Sequence, residues 1–249
     1  PEILFNAAYS LYTSISFDPN TANTFVIVFM DNSNTNRGTA ILGTISGTSI
    51  TFGAKAVFSS AGNSNYNSVA FDPNTAGKFV ACNSDAGNSS YGKAAVGTVS
   101  GTSISFGTQV VFNSGSTTYT SVAFNPNDAG KFAVAYTGGG QYGMVSVGTV
   151  SGTTISFSPQ ITYSPGAGTA EVSIAFDPND SGKFAVAYRD GSNSNYGEMI
   201  VGTMGSGGGT NLTGTNFVGI STAAYTDGQS ATVQLQGSIS TNQTGLTSG

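Results

Sequence analysis

Small polar and apolar residues alternate in short runs along this chain, and no run has the three-to-four-residue spacing of an amphipathic helix. Residues 120–124 alternate with period two, which predicts a strand. Residues 125–130 (NPNDAG) are dense in turn formers, 131–136 (KFAVAY) read as a second strand, and 137–143 as a loop. Residues 144–150 form a third predicted strand, Ser151-Gly152-Thr153 a tight turn, and 154–157 the start of a fourth. That strand is expected to continue through a bulge near Pro159 to residues 161–163.

The pattern recurs four times. Phe17, Phe71, Phe124 and Phe176 are 54, 53 and 52 positions apart, each inside a phrase of the type SVAFDPNTAGKF. A Gly-Thr pair keeps the same period at Gly43-Thr44, Gly97-Thr98, Gly148-Thr149 and Gly202-Thr203. Four antiparallel strands in about fifty residues, repeated, predict the blades of a β-propeller. The fourth unit lacks an outer strand, while residues 2–6 (EILFN) match the outer strands of the second and third units at the same distance from the next Phe anchor. The expected architecture is therefore all-β: a β-propeller of four four-stranded blades over residues 1–204, closed by the N-terminal strand. A small C-terminal β appendage follows at 205–249. Closure of this kind removes open sheet edges.

Composition narrows the class. Apolar residues reach 38% and charged ones only 8%, so the chain is folded rather than disordered. Net charge is −5, and the seven Lys and Arg are scattered, which argues against nucleic-acid binding. No apolar run is long enough to span a bilayer, so no membrane insertion is expected. The lone Cys82 excludes an intrachain disulfide and reads as a small core residue. Pro1 at the start suggests a processed product or part of a longer chain. Few charges and abundant Ser, Thr and Asn lean toward an extracellular or virion surface.

Histidine is absent, which removes a Ser-His-Asp triad, a His-bound zinc site and a His general base. Arg37 and Arg189 are too few for a sialidase-type arginine cluster, and no acidic pair stands out for glycoside hydrolysis. No catalytic residue, metal or cofactor is expected. Asp18, Asp72 and Asp177 recur in register, but Asn125 replaces them in the third unit. That substitution keeps an Asx-turn and loses the charge a calcium site needs.

Antiparallel order gathers the irregular loops on one face, where a binding site would be built. The candidate ligand-binding residues there are aromatic or basic. Arg37, Tyr91, Tyr142 and Tyr196 lie six positions before the Gly-Thr anchors, and Tyr12, Tyr66 and Tyr119 lie five before the Phe anchors, with Glu171 in the fourth unit. Two roles stay open for these rings: stacking on sugars, or wedging between blades with the hydroxyl reaching solvent.

Past residue 205 the period is lost, and residues 216–221 and 231–238 read as strands of the appendage. About forty residues bury little core alone, so residues 211–249 are expected to order against other virion proteins or copies of itself. Phrases such as GTVSGTSISFGTQVVFNSGS (97–116) and KFAVAYRDGSNSNYG (183–197) resemble β-propeller repeats of marine and cyanobacterial bacteriophages, of the tail-fibre or virion-surface type. The tail's FVGIS…DGQSATVQLQG is similar to β segments of phage fibre and capsid-decoration proteins. The resemblance covers about residues 1–204 and implies a non-enzymatic virion surface protein that contributes to host-surface or glycan attachment. A secreted or cell-surface bacterial glycan-binding lectin is the alternative.

Overall fold

A computed structural model describes residues 2–59, 62–204, 220–221 and 233–234. It divides into two compact units, residues 1–208 and 209–249. The chain is all-β, and among the described residues no helix is long and apolar enough to cross a membrane.

The first unit is four antiparallel sheets, one per repeat. The first sheet holds β1 (Ser10–Phe17), β2 (Thr24–Asp31), β3 (Arg37–Ser46), β4 (Ser49–Phe52) and β5 (Ala56–Val57). The second holds β6 (Ser64–Phe71), β7 (Lys78–Asp85), β8 (Tyr91–Ser100), β9 (Ser103–Phe106) and β10 (Val110–Asn113). The third holds β11 (Thr118–Phe124), β12 (Lys131–Thr137), β13 (Gly143–Ser151), β14 (Thr154–Phe157) and β15 (Ile161–Ser164). The fourth has only β16 (Thr169–Phe176), β17 (Lys183–Asp190) and β18 (Tyr196–Thr203). The predicted outer strand is thus two segments on one partner: β14 and β15 both pair with β13, on either side of residues 158–160.

The two sequence landmarks are joined through the second strand: Phe17, Phe71, Phe124 and Phe176 pair with the Phe that closes each phrase, and that second Phe pairs with the Gly of the Gly-Thr pair. Phe25 pairs with Gly43, Phe79 with Gly97, Phe132 with Gly148 and Phe184 with Gly202. Each ring lies across the glycine opposite, so a Cβ on Gly97 would come within 2.1 Å of the Phe79 ring. In the second and third repeats the Thr of the Gly-Thr pair takes a lysine: Lys78 Nζ donates to Thr98 Oγ1 (2.7 Å) and Lys131 Nζ to Thr149 Oγ1 (2.8 Å).

Consecutive sheets pack face to face, and the core is three inter-sheet layers. Val26, Val28, Ala40 and Leu42 of the first sheet meet Val69, Phe71, Phe79 and Ala81 of the second. Equivalent residues join the second to the third and the third to the fourth. Cys82 is fully buried in the middle layer, and burial pushes its thiol up to about 12, so it is inert packing. Polar side chains tie the layers together. Ser14, Ser68 and Ser121 accept from the amides of Val69, Val122 and Ile174 in the next sheet (3.2–3.3 Å). Asp18 and Asp72 each cap their own turn through Oδ1 and accept from Gly77 and Gly130 of the next repeat through Oδ2. Asp18 and Asp72 therefore tie consecutive repeats together.

The N-terminal residues differ from expectation. Residues 2–6 lie in no strand and make no backbone pairing with β18, so the expected closure of the fourth sheet is not made. Phe5 instead sits edge-on over Phe29 at 5.1 Å, and Asn6 is buried beside Asp31, donating to its Oδ1 (3.2 Å). Lys55 bridges to both Asn6 and Asp31. Burial pushes the Asp31 carboxyl up, but hydrogen bonds from Ser33, Lys55 and Asn6, with the Lys55 charge, hold it below its ordinary value. The anchorage is physical: a half-buried ring and a satisfied polar cluster secure this segment to the first sheet.

In the second unit, β19 (Ile220–Ser221) pairs antiparallel with β20 (Val233–Gln234). Both fall inside the predicted strands at 216–221 and 231–238. The rest of those strands lies outside the described residues.

Candidate functional site

The first strand of every sheet breaks register at the same place. Pairing with the second strand skips from Leu11 to Ser14, Asn65 to Ser68, Thr118 to Ser121 and Ala170 to Ser173. A bulge of this kind leaves residues unpaired and re-aims a side chain. The re-aimed residues are Tyr12, Tyr66, Tyr119 and Glu171, at φ of 51°, 50°, 49° and 52°. Left-handed backbone costs a Cβ-bearing residue on the order of 1 kcal/mol. Four repeats hold it at one position, and the result is a single row of side chains.

Tyr12 and Tyr66 pack at 5.0 Å between centroids with their rings tilted by 44°, and Tyr66 and Tyr119 at 5.0 Å with a tilt of 50°. With Glu171 at the end of the row, they line a cleft of about 290 Å³ whose remaining walls are Thr13, Asn67, Thr120 and Val172. The Thr120 hydroxyl donates to the Tyr66 carbonyl and pins the row across two sheets. Burial raises the Tyr66 phenol, and Tyr119, Tyr12 and Glu171 add to the effect, so its hydroxyl stays protonated and able to donate. The rings therefore pack on one another and face an open cleft at once; Tyr12 is 38% exposed.

Tyr66 and Tyr119 also form one wall of a second, more polar cavity of about 610 Å³. It is closed by Thr137, residues 138–140, Gln141, Thr169, Arg189 and Asn195, and the Arg189 guanidinium donates to Asn195. Sequence reasoning treated Gly138-Gly139-Gly140 only as a loop and Arg189 only as one arginine too few. The signal available was position: Arg189 closes a second strand and the glycines follow one, on the face already expected to bind.

The other candidates are arranged differently. Arg37, Tyr91 and Tyr196 open the third strands opposite Asp31, Asp85 and Asp190, and Tyr142 precedes β13. They stand one to a sheet, with no ring contact among them. Tyr142 and Tyr196 are exposed, at 41% and 62%. The structure brings together the bulge tyrosines and leaves this second register apart. Among the described residues no cluster of His, Cys, Asp and Glu could hold a metal ion.

Fold and site define an all-β repeat protein with an aromatic and polar groove along its first strands. No family model matches the chain, and no curated protein matches it. Solved structures do. Two structures of Sqt1 from Chaetomium thermophilum are similar at 15% identity and a TM-score of 0.50, covering 71% and 72% of this chain and 40% and 41% of theirs. The Hadza microbial sialidase Hz136 aligns at 8% identity and a TM-score of 0.49, over 78% of this chain and 44% of its own. This chain thus spans about two fifths of the length of the structures it matches. At such identity the Sqt1 likeness is one of fold alone.

Proposed function

We propose that this chain is a non-enzymatic, propeller-type surface protein of a phage virion that attaches to glycans through the groove along its first strands. Each sheet is then one blade, and the four blades form an arc about the row of bulge residues. The observation that carries the binding role is the same strained bulge in all four repeats, which sets Tyr12, Tyr66, Tyr119 and Glu171 in one line. Tyrosine faces stack on the C–H face of a sugar ring, while a carboxylate and hydroxyls accept and donate to its hydroxyl groups. The neighbouring cavity adds amides, an arginine and open glycine backbone of the kind that fixes a polar ligand's orientation. The virion assignment rests on the sequence resemblance of the repeats.

The test is glycan-array and host-cell binding by Tyr66→Ala and Tyr119→Ala. Losing one stacking ring is worth about 0.5–1.5 kcal/mol, so affinity should fall by roughly two- to tenfold for each ring. Asp72→Asn, which touches the stack and not the groove, should lower the melting temperature and leave binding unchanged. Tyrosine variants that melt early yet bind normally would show the rings to be packing alone. Detection of the protein in purified particles tests the location. An exported protein absent from particles would turn the reading to a free lectin.

A further inference from the structure

The two ends of the stack expose positions that the internal layers bury or half-bury. Ile15 is 56% exposed, while its equivalents Val69, Val122 and Ile174 are 6–7% exposed. Phe17 is 53% exposed, against 5% for Phe71 and 7% for Phe124. At the other end Met199 is 67% exposed where Ala40, Ala94 and Val145 are at most 3%, and Val201 is 55% where Leu42 and Val96 are at most 3%. Half of an inter-sheet layer is displayed at each end, in the register of the three layers inside.

The polar ties end in the same way. Ser173, Asp177 and Asn179 hold in the fourth repeat the positions from which earlier repeats bond to the next sheet. Among the described residues they make no such bond. On the first sheet, the Ile15 amide holds the place of the Val69, Val122 and Ile174 amides. Asn23, at φ 63°, holds that of Gly77 and Gly130.

Residues 2–6 complete the match. Phe112 of β10 lies 5.1 Å from Tyr136, and Tyr163 of β15 lies 5.2 Å from Tyr188; Phe5 lies 5.1 Å from Phe29. In the first two cases the ring belongs to an outer strand paired with the preceding sheet's third strand. Residues 2–6 hold the place of such a strand without a preceding sheet, and β18 is a third strand without an outer one. Carrying over the β10–β8 pairing sets Ile3 against Met199 and Asn6 against Gly197.

We propose that these faces join two copies of this chain head to tail. The open face of the fourth sheet in one copy packs on the open face of the first sheet in the other, and the second copy's residues 2–6 add the missing strand to β18. The contact is heterologous, and two of them across a curved stack close a ring. Its continuity with the internal layers, in both apolar register and polar ties, argues for a copy of this chain over an unrelated partner.

Light scattering on the full chain should give twice the monomer mass. Met199→Glu and Ile15→Glu should each reduce this to the monomer while keeping the far-ultraviolet spectrum and a cooperative melt. Val201→Glu and Phe17→Glu stand in if either fails to fold. Mixing the Met199→Glu and Ile15→Glu variants should restore a species of dimer mass, because one intact contact remains between unlike partners. An isologous contact gives no such rescue. Ile3→Cys with Met199→Cys should yield an intermolecular disulfide under oxidation. A full chain that stays monomeric at all concentrations overturns the proposal. So does association that appears only after removal of residues 209–249, since the chain's own tail is then the occupant.

Discussion

At the residue scale, the repeat is written by a ring and a hole. Gly43, Gly97, Gly148 and Gly202 are glycine because Phe25, Phe79, Phe132 and Phe184 lie flat across them from the neighbouring strand. An aromatic ring over a strand glycine restores the packing that the missing side chain forfeits. Gly97→Ala should lower stability by about 1–3 kcal/mol through overpacking, and Phe79→Ala by about 3–5 kcal/mol through a cavity. The two changes share one space, so the double variant should cost less than the sum, and denaturant midpoints of all four proteins measure the coupling. Strict additivity would mean that ring and glycine do not meet.

At the element scale, the bulges of the first strands set the row of side chains that lines the cleft. A tyrosine at φ near 50° is strained in a way a glycine is not. At an ordinary strand position Gly is worse than Ala by roughly 0.5–1 kcal/mol. At position 119 the order should invert or vanish: Tyr119→Gly is expected to be at least as stable as Tyr119→Ala, by urea denaturation. The usual order would mean that the backbone there is unstrained in solution. Strand existence was legible from period-two alternation, as in residues 120–124, which lie inside β11 (Thr118–Phe124). The bulge was not, because Tyr12, Tyr66 and Tyr119 interrupt no alternation that a reader could see; only the pairing with the second strand shows residues skipped.

At the scale of the whole molecule, the ends decide more than the middle. Phe29 is completely buried because Phe5 covers it, and Asn6 shares a polar cluster with Asp31 and Lys55. Deleting residues 1–6 should therefore destabilise the first sheet by about 1–3 kcal/mol, the worth of one large apolar side chain's burial. Hydrogen exchange should show the loss in β2 and β3, with β18 also affected where two copies are joined. An unchanged midpoint, or a loss confined to β18, would place the segment at the opposite end of the stack. The prediction that residues 211–249 order against a partner falls outside the described residues.

Local patterns in the chain suffice for the number of repeats, their strands, their turns and the face that varies. Those depend on neighbours within about fifty residues, and the Phe and Gly-Thr landmarks repeat them four times. The register of residues 2–6 with an outer strand was legible for the same reason. Whether that segment meets β18 of its own chain was not, since closure depends on the angle accumulated from sheet to sheet. That angle is set by side chains meeting across layers, such as Cys82 and Ala94 against Val122 and Phe124, and no period in the sequence records it. The groove follows the same rule. Each tyrosine could be found alone, but their alignment with Glu171, and the company of Arg189 and Gln141, exist only once four first strands lie side by side.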